Sequence, residues 1–149
     1  MAQNGAYRKI GNTIYLLKPR DYVVPLVHDA NTNSTVQGFI QIDSNSPFLL
    51  FDRFMEDTND PTTAAPGLYG QYENFISVQD NANNYNWSNG LVPRSAFARD
   101  RMHGYRLPEE CLIDANTKLV VNLQNPAENA LAGTMTVILQ GYSLYPFVQ

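Results

Sequence analysis

The 149-residue sequence is short of several residue types, and each shortage excludes a class of protein. A single cysteine, Cys111, excludes an internal disulfide and a zinc site made of thiolates, and we expect it to be a small buried thiol. No apolar run approaches the ~18 residues that a membrane-spanning helix needs, so no membrane partner is expected. Basic residues number 10 against 14 acidic ones, and the net charge of −4 argues against a nucleic-acid partner.

Charge itself is scarce. Charged residues are 16% of the chain, well below the usual quarter, while Asn, Gln, Ser and Thr are abundant. A polar surface with little charge suits contact with other protein better than the steering of ions. The N-terminus, Met1–Gly5, lacks the charged and apolar pattern of a signal peptide, so we expect synthesis in a host cytoplasm. Hydrophobic residues reach 44%, which is enough for one domain with a single core.

Candidate catalytic and metal-binding residues are few. Neither His28 nor His103 has a second ligand at metal spacing, and both are expected at the surface or in an interface. Asp29, Asn31 and Asn33 copy the first ligands of a calcium loop, but the glycine and glutamate that complete such a loop are missing. An Asx-rich turn is therefore the preferred interpretation, with a calcium ion as the minor alternative. We expect no enzyme, no cofactor and no metal.

The pattern along the chain predicts about eight short strands. Residues 35–43 alternate, with Val36, Ile40 and Ile42 on one face and Phe39 on the other, as in a half-buried strand. The other predicted strands are 14–17, 22–27, 47–55, 72–78, 118–123 and 134–145.

Proline and glycine mark interruptions in these strands. Pro25 assigns its segment to an edge strand or a bulge, because proline cannot donate to a ladder. Gly141 indicates a bulge or a close backbone approach in the last strand. The predicted connections are 56–70, 79–90 with Trp87 at its tip, 91–98 as a short strand or a helical turn, and 100–110 as an irregular segment.

Short strands separated by turn-rich loops predict an all-β fold, a single-domain antiparallel β-sandwich of jelly-roll type. Residues 1–12 are predicted to form a flexible N-terminal arm and residues 13–149 the sandwich, because the arm has too little apolar surface to bury. The alternative is that Tyr7–Ile10 forms an edge strand of the same domain. Deleting residues 2–12 would leave the melting temperature nearly unchanged under the first interpretation and lower it under the second.

Nine residues are candidates for a partner interface. Large aromatic residues near loops and termini often anchor interfaces, and basic residues meet acidic partners. Packing within turns is the alternative for the loop aromatics. The candidates are Tyr7, Arg8, Lys9 and Ile10 in the arm, Tyr69, Tyr72, Tyr85 and Trp87 in or beside loops, and Phe147 near the C-terminus.

The last 45 residues carry a family resemblance. They contain YRLPEE at 105–110, DAN at 114–116, VNLQN at 121–125 and VILQGYSLY at 137–145. These motifs resemble the closing segment of small jelly-roll structural proteins of tailed bacteriophages. The FIQI and SPF motifs, at 39–42 and 46–48, are loosely similar to the strands that open such proteins.

The resemblance implies a non-enzymatic virion protein. Members of this group include head decoration (cement) proteins, which bind the outside of the phage head and stabilise contacts between major capsid subunits. The implied partners are the major capsid protein and the chain itself, as a homotrimer, on the head surface of the virion. A receptor- or glycan-binding module of a tail or tail tip is the alternative, motivated by Tyr85 and Trp87 in the Asn-rich loop. A hydrolase is a weaker third hypothesis, which rests on carboxylates without partners.

Overall fold

The computed structural model describes residues 5–29, 33–57, 74–98, 105–126 and 132–147, and most of them lie in strands. The elements are β1 (Ala6–Ile10), β2 (Thr13–His28), β3 (Thr35–Gln41), β4 (Phe48–Asp57), β5 (Phe75–Asp80), β6 (Tyr85–Asn86), β7 (Val92–Pro93), α1 (Arg94–Phe97), β8 (Tyr105–Ile113), β9 (Lys118–Gln124) and β10 (Gly133–Pro146). Within these ranges no helix has the length and apolar character needed to cross a membrane.

The strands form two antiparallel sheets that pack face to face. Sheet A has the order β1-β2-β10-β4-β8, and sheet B has the order β3-β9-β5-β6, with β7 also paired to β5. The pairs nest from the ends of the chain inward, because β2 pairs with β10, β3 with β9, β4 with β8 and β5 with β6. The predicted all-β antiparallel sandwich is confirmed. The jelly-roll type stays a prediction, which the nested pairing favours.

The core lies between the sheets and follows the period-two patterns of the sequence. In β3 and the residue after it, Ile40 and Ile42 are buried, whereas Phe39 on the opposite face is half-exposed, as predicted. Gly38 lets β2 approach β3 closely, since a Cβ there would come within 2.6 Å of the side chains of both Val24 and Leu26. The largest fully buried side chains include Phe48, Leu50, Met55, Ile76, Leu119, Leu123, Met135 and Leu139.

Two strand predictions need correction. The segments predicted separately at 14–17 and 22–27 are parts of one 16-residue strand, β2. Residues 105–110, predicted as irregular, belong to β8, which pairs with β4 in two pieces separated by a register shift between Leu50 and Asp52. Pro108 is tolerated there because β8 is an edge strand, where a missing N–H does not interrupt a ladder.

Residues 6–10 form an edge strand, as in the alternative interpretation of the N-terminal sequence. Ala6–Ile10 is strand β1, which pairs antiparallel with Thr13–Leu17 of β2. The connecting turn contains Gly11 at φ +60°, a left-handed conformation that glycine adopts without strain. Residues 6–10 are therefore placed in sheet A in this structure.

Gly141 lies where two strands approach closely, as predicted. The register between β10 and β4 shifts at Gln140/Gly141, so that β4 has one extra residue, Phe51. A Cβ on Gly141 would overlap the carbonyl oxygen of Leu49 and come within 2.9 Å of its carbonyl carbon.

Candidate partner interface

Sheet A extends past the end of sheet B. Side chains of β2 alternate between buried and exposed only from Tyr22 to His28. The boundary lies at Tyr22, whose hydroxyl accepts a hydrogen bond from the backbone N–H of Asp43 at 3.1 Å, and at Arg20, which pairs with the Asp43 carboxylate at 3.3 Å. Beyond it, β1, the first half of β2 and the end of β10 continue as a terminal extension (residues 6–20 and 141–147), in which β4 still pairs with residues 141–143 of β10.

The core-side face of the terminal extension carries apolar side chains that sheet B does not cover. Residues opposite each other in neighbouring strands share a face, and Tyr7, Leu16 and Tyr145 form one such row. Ile14 lies on the same face two residues before Leu16 in β2, and Phe147, which directly follows β10, lies beside Tyr7. We call this set the terminal patch: Tyr7, Ile14, Leu16, Tyr145 and Phe147.

The terminal patch brings the two ends of the chain together. The rings of Tyr7 and Phe147 meet edge to face with centroids 5.1 Å apart, and the Phe147 N–H donates to the Ile14 carbonyl at 2.8 Å. Tyr7 is nevertheless 52% exposed, Phe147 45% and Ile14 39%. Aromatic side chains held in place but still exposed are suited to anchoring a partner at a small entropic cost.

Three basic side chains surround the terminal patch. Lys9 lies opposite Ile14 in the β1–β2 ladder, and the Lys18 Nζ lies 4.8 Å from the centroid of the Tyr145 ring. Arg20 completes the set at the boundary, where it pairs with Asp43. Among the described residues, neither Lys9 nor Lys18 forms an ion pair with a carboxylate. The patch is thus locally positive on a chain whose net charge is −4.

Arg8 points to the other face of the extension, where it forms an ion pair with Glu110 of β8. This hydrogen bond with Glu110 raises the pKa of the Arg8 guanidinium. Because β1 and β8 are the two edges of sheet A, the ion pair requires this end of the sheet to curl until its edges approach. Leu49 and Leu144, which lie on this face and outside the main core, are accordingly buried.

The remaining candidates are dispersed. Tyr85 in β6 is 61% exposed, at the end of a turn in which the Asp80 carboxylate accepts backbone hydrogen bonds from Ala82 and Asn83. Trp87 follows β6 rather than standing at a loop tip, and its half-buried indole stacks on Phe97 with centroids 6.4 Å apart. Ile10 is half-buried at the end of β1. Tyr69 and Tyr72 lie outside the described residues.

Sequence patterns identified only part of this surface. The sequence predicted Tyr7, Lys9 and Phe147, but it did not associate Ile14, Leu16, Lys18 or Tyr145 with them. The parity of β2 was the available signal, because residues 14, 16 and 18 fall on the same face as the buried 22, 24, 26 and 28. The alternation by itself shows that these residues share the core-side face. That this part of the face is uncovered becomes clear only from the structure, in which sheet B ends near Asp43.

The histidine and metal predictions have separate outcomes. His28 is buried at the end of β2, with 1% exposure, so its predicted surface position was wrong. His103 and most of the Asx-rich turn at 29–33 lie outside the described residues. Within the described ranges, no three His, Cys, Asp or Glu side chains are grouped so as to hold a metal ion.

Comparisons of this chain with protein-family models, with curated proteins and with solved structures found no match.

Proposed function

We propose that this chain is a non-enzymatic structural protein of a tailed-phage virion, a decoration protein that binds the outside of the head. The proposal starts from the resemblance of residues 105–149 to the closing segment of small phage jelly-roll proteins. The nested pairing of β2 with β10, β3 with β9, β4 with β8 and β5 with β6 supports it, because it gives each sheet strands from both halves of the chain, as in a double Greek key.

The observation that carries the proposal is the terminal patch. An exposed apolar cluster with a basic rim fits a surface that offers an apolar pocket next to carboxylates. On a shell, that surface would belong to the major capsid protein. Each site needs only modest affinity, because attachment that also links neighbouring subunits gains from effective concentration. The homotrimer and the location on the head surface are parts of this proposal.

A receptor- or glycan-binding module of a tail remains the second candidate. Exposed Tyr85 beside an Asn-rich turn favours it, since aromatic rings stack on sugars and amides bond their hydroxyls. The stacking of Trp87 on Phe97 removes one face of the indole from this role. The two candidates therefore use different tyrosines, Tyr7 and Tyr85, which are similarly exposed.

Co-sedimentation with purified undecorated heads of the cognate phage tests the proposal. We expect the wild type to pellet with heads, Tyr7→Ser and Phe147→Ser each to weaken binding at least about tenfold, and Tyr85→Ser to bind like the wild type. Electron microscopy of particles with and without the protein would place the added density on the head. Density on the tail, or sugar-dependent binding that Tyr85→Ser abolishes, would replace this proposal with the second candidate.

A further inference from the structure

We propose that β3 pairs edge to edge with β3 of a second copy of this chain, forming a two-fold symmetric dimer. This inference goes beyond the proposed function and does not rest on it. It follows from a difference between β3 and the other sheet edges.

Sheet edges in single chains are usually protected against pairing by charge, proline or shortness. The edge strand β1 has five residues, of which Arg8 and Lys9 are charged. Past its ladder with β1, strand β2 carries Pro19 and Pro25. β8 contains Pro108 followed by two glutamates, and β6 and β7 have two residues each.

β3 has none of these protections. Its seven residues, TVQGFIQ, include no charge and no proline. All seven pair with β9 on one side, and no described residue pairs with the other side. Phe39 at this edge is half-exposed. An uncharged strand of this length, with one edge that no described residue pairs with, is a template for another strand.

The backbone groups of β3 that point away from β9 can be assigned. The Ile42 N–H donates to the Thr117 carbonyl at 2.9 Å, and the Asn125 N–H donates to the Ser34 carbonyl at 3.3 Å. Even-numbered residues of this strand therefore bond to β9. Because hydrogen-bonded pairs alternate along an antiparallel ladder, the N–H and C=O groups of the odd-numbered residues, 35, 37, 39 and 41, face outward.

β3 is complementary to itself in the antiparallel register centred on Gly38. This register places residue 35 opposite 41 of the second copy and 37 opposite 39, so all four outward-facing residues fall in hydrogen-bonded pairs. On the core side, Val36 meets Ile40 of the second copy, and on the outer side Gln37 meets Phe39. No like charges are opposed, and the two copies of sheet B become one continuous sheet.

Self-complementarity favours a second copy over another protein as the occupant. One antiparallel pairing uses the same strand of both copies and closes the edge of each, so assembly stops at two. A β3–β3 contact cannot produce a trimer, and a homotrimer would have to use other surfaces.

Light scattering across about 1 μM to about 1 mM tests whether the molecular mass rises from one chain to two. Amide hydrogen exchange locates the contact. We expect the amides of Gln37 and Phe39 to exchange at least about tenfold more slowly at the highest concentration. The Gly38 and Ile40 amides, which bond to β9, should be protected at every concentration. A wild type that stays monomeric throughout, or a trimer in which the Gln37 and Phe39 amides remain unprotected, overturns the proposal.

Gln37→Pro is the first variant, because residue 37 needs no N–H within its own chain. Proline there removes a partner-facing donor and leaves the β9 ladder intact, so we expect monomers at all concentrations. Gln37→Ala is the matched control, since it loses only the side-chain bond to Asn122 and keeps the N–H. A dimer that survives Gln37→Pro, or that Gln37→Ala disrupts equally, contradicts the assigned edge.

If Gln37→Pro fails to fold, variants with charges of opposite sign at residues 35 and 41 test the β3–β3 pairing instead. Thr35→Lys combined with Gln41→Lys places two ammonium groups opposite each other in each terminal pair and should abolish the dimer. Thr35→Glu combined with Gln41→Glu should do the same. Mixing the two variants should restore a dimer that contains one copy of each. Failure of the mixture to associate, when the wild type does, would overturn the proposed register.

Discussion

Cys111 shows how the interior of the sandwich acts on one ionisable side chain. The thiol is half-buried on β8 against the core. Burial raises its pKa above the ordinary value of 9.0; Arg53 opposes this shift and Asp80 adds to it. The neutral thiol is therefore favoured more strongly in the folded protein than in the unfolded chain.

This shift predicts a stability change at alkaline pH. The unfolded chain releases the thiol proton at a lower pH than the folded protein does, so the contribution of Cys111 to stability is complete below pH 9 and is lost as the pH rises through the folded-state pKa. Cys111→Ala should cost about 1 kcal/mol of unfolding free energy at pH 7. The gap between wild type and variant should narrow above pH 9 in urea unfolding. A gap that is constant with pH would contradict this account.

Single-residue exposure was predictable where a side chain depends on local pattern and unpredictable where it depends on a distant neighbour. Phe39 alternates with buried residues, and its exposure followed from that period. Trp87 is held by Phe97, a contact that requires the β5–β6 hairpin and α1 to pack on the same end of the core. His28 looked like a surface residue because no sequence feature shows that the end of β2 is covered.

At the scale of elements, Gly141 controls the approach of β4 to β10. Gly141→Ala should lower the unfolding free energy by more than about 3 kcal/mol or prevent folding, because its Cβ would meet the Leu49 backbone, which cannot move without breaking the ladder. Gly38→Ala is the control, since its Cβ would meet only the side-chain ends of Val24 and Leu26 and should cost about 1–2 kcal/mol. Thermal and urea unfolding measure both. Equal costs would show that the backbone contact at Gly141 is not the decisive one.

The same scale shows which strands sequence can identify. β3, β9 and β10 were predicted within a few residues, because apolar core residues recur at every second position along much of each strand. β8 was missed because Pro108 and two glutamates break its pattern, and only an edge position with a split register accommodates them. β2 was divided in two because the polar residues 18–21, with Pro19 among them, interrupt its apolar pattern. Pro19 and Pro25 are both tolerated, because in the described residues this part of β2 pairs with β10 alone.

For the whole molecule, the terminal extension joins residues that are about as far apart in the sequence as the chain allows. Its aromatic members were visible in the sequence, but the surface they form was not, because it exists only when β1 and β10 both flank β2. Arg8 and Glu110 close the other face of the same extension. Residues 6–10 thus make contacts on both faces of the terminal extension. These contacts favour an edge strand over a free arm.

Deleting residues 2–12 should therefore lower stability. The deletion removes the five cross-strand pairs of β1 with β2, the Arg8–Glu110 ion pair and the ring contact of Tyr7 with Phe147. At a few tenths to 1 kcal/mol for each cross-strand pair, we expect a loss of about 2 kcal/mol, or a fall of about 4–8 °C in melting temperature. Deleting residues 2–5 is the control, because it leaves β1 intact, and it should melt like the wild type. If both deletions melt like the wild type, residues 1–12 behave as the free arm that their composition predicts, and the pairing of β1 adds nothing to stability.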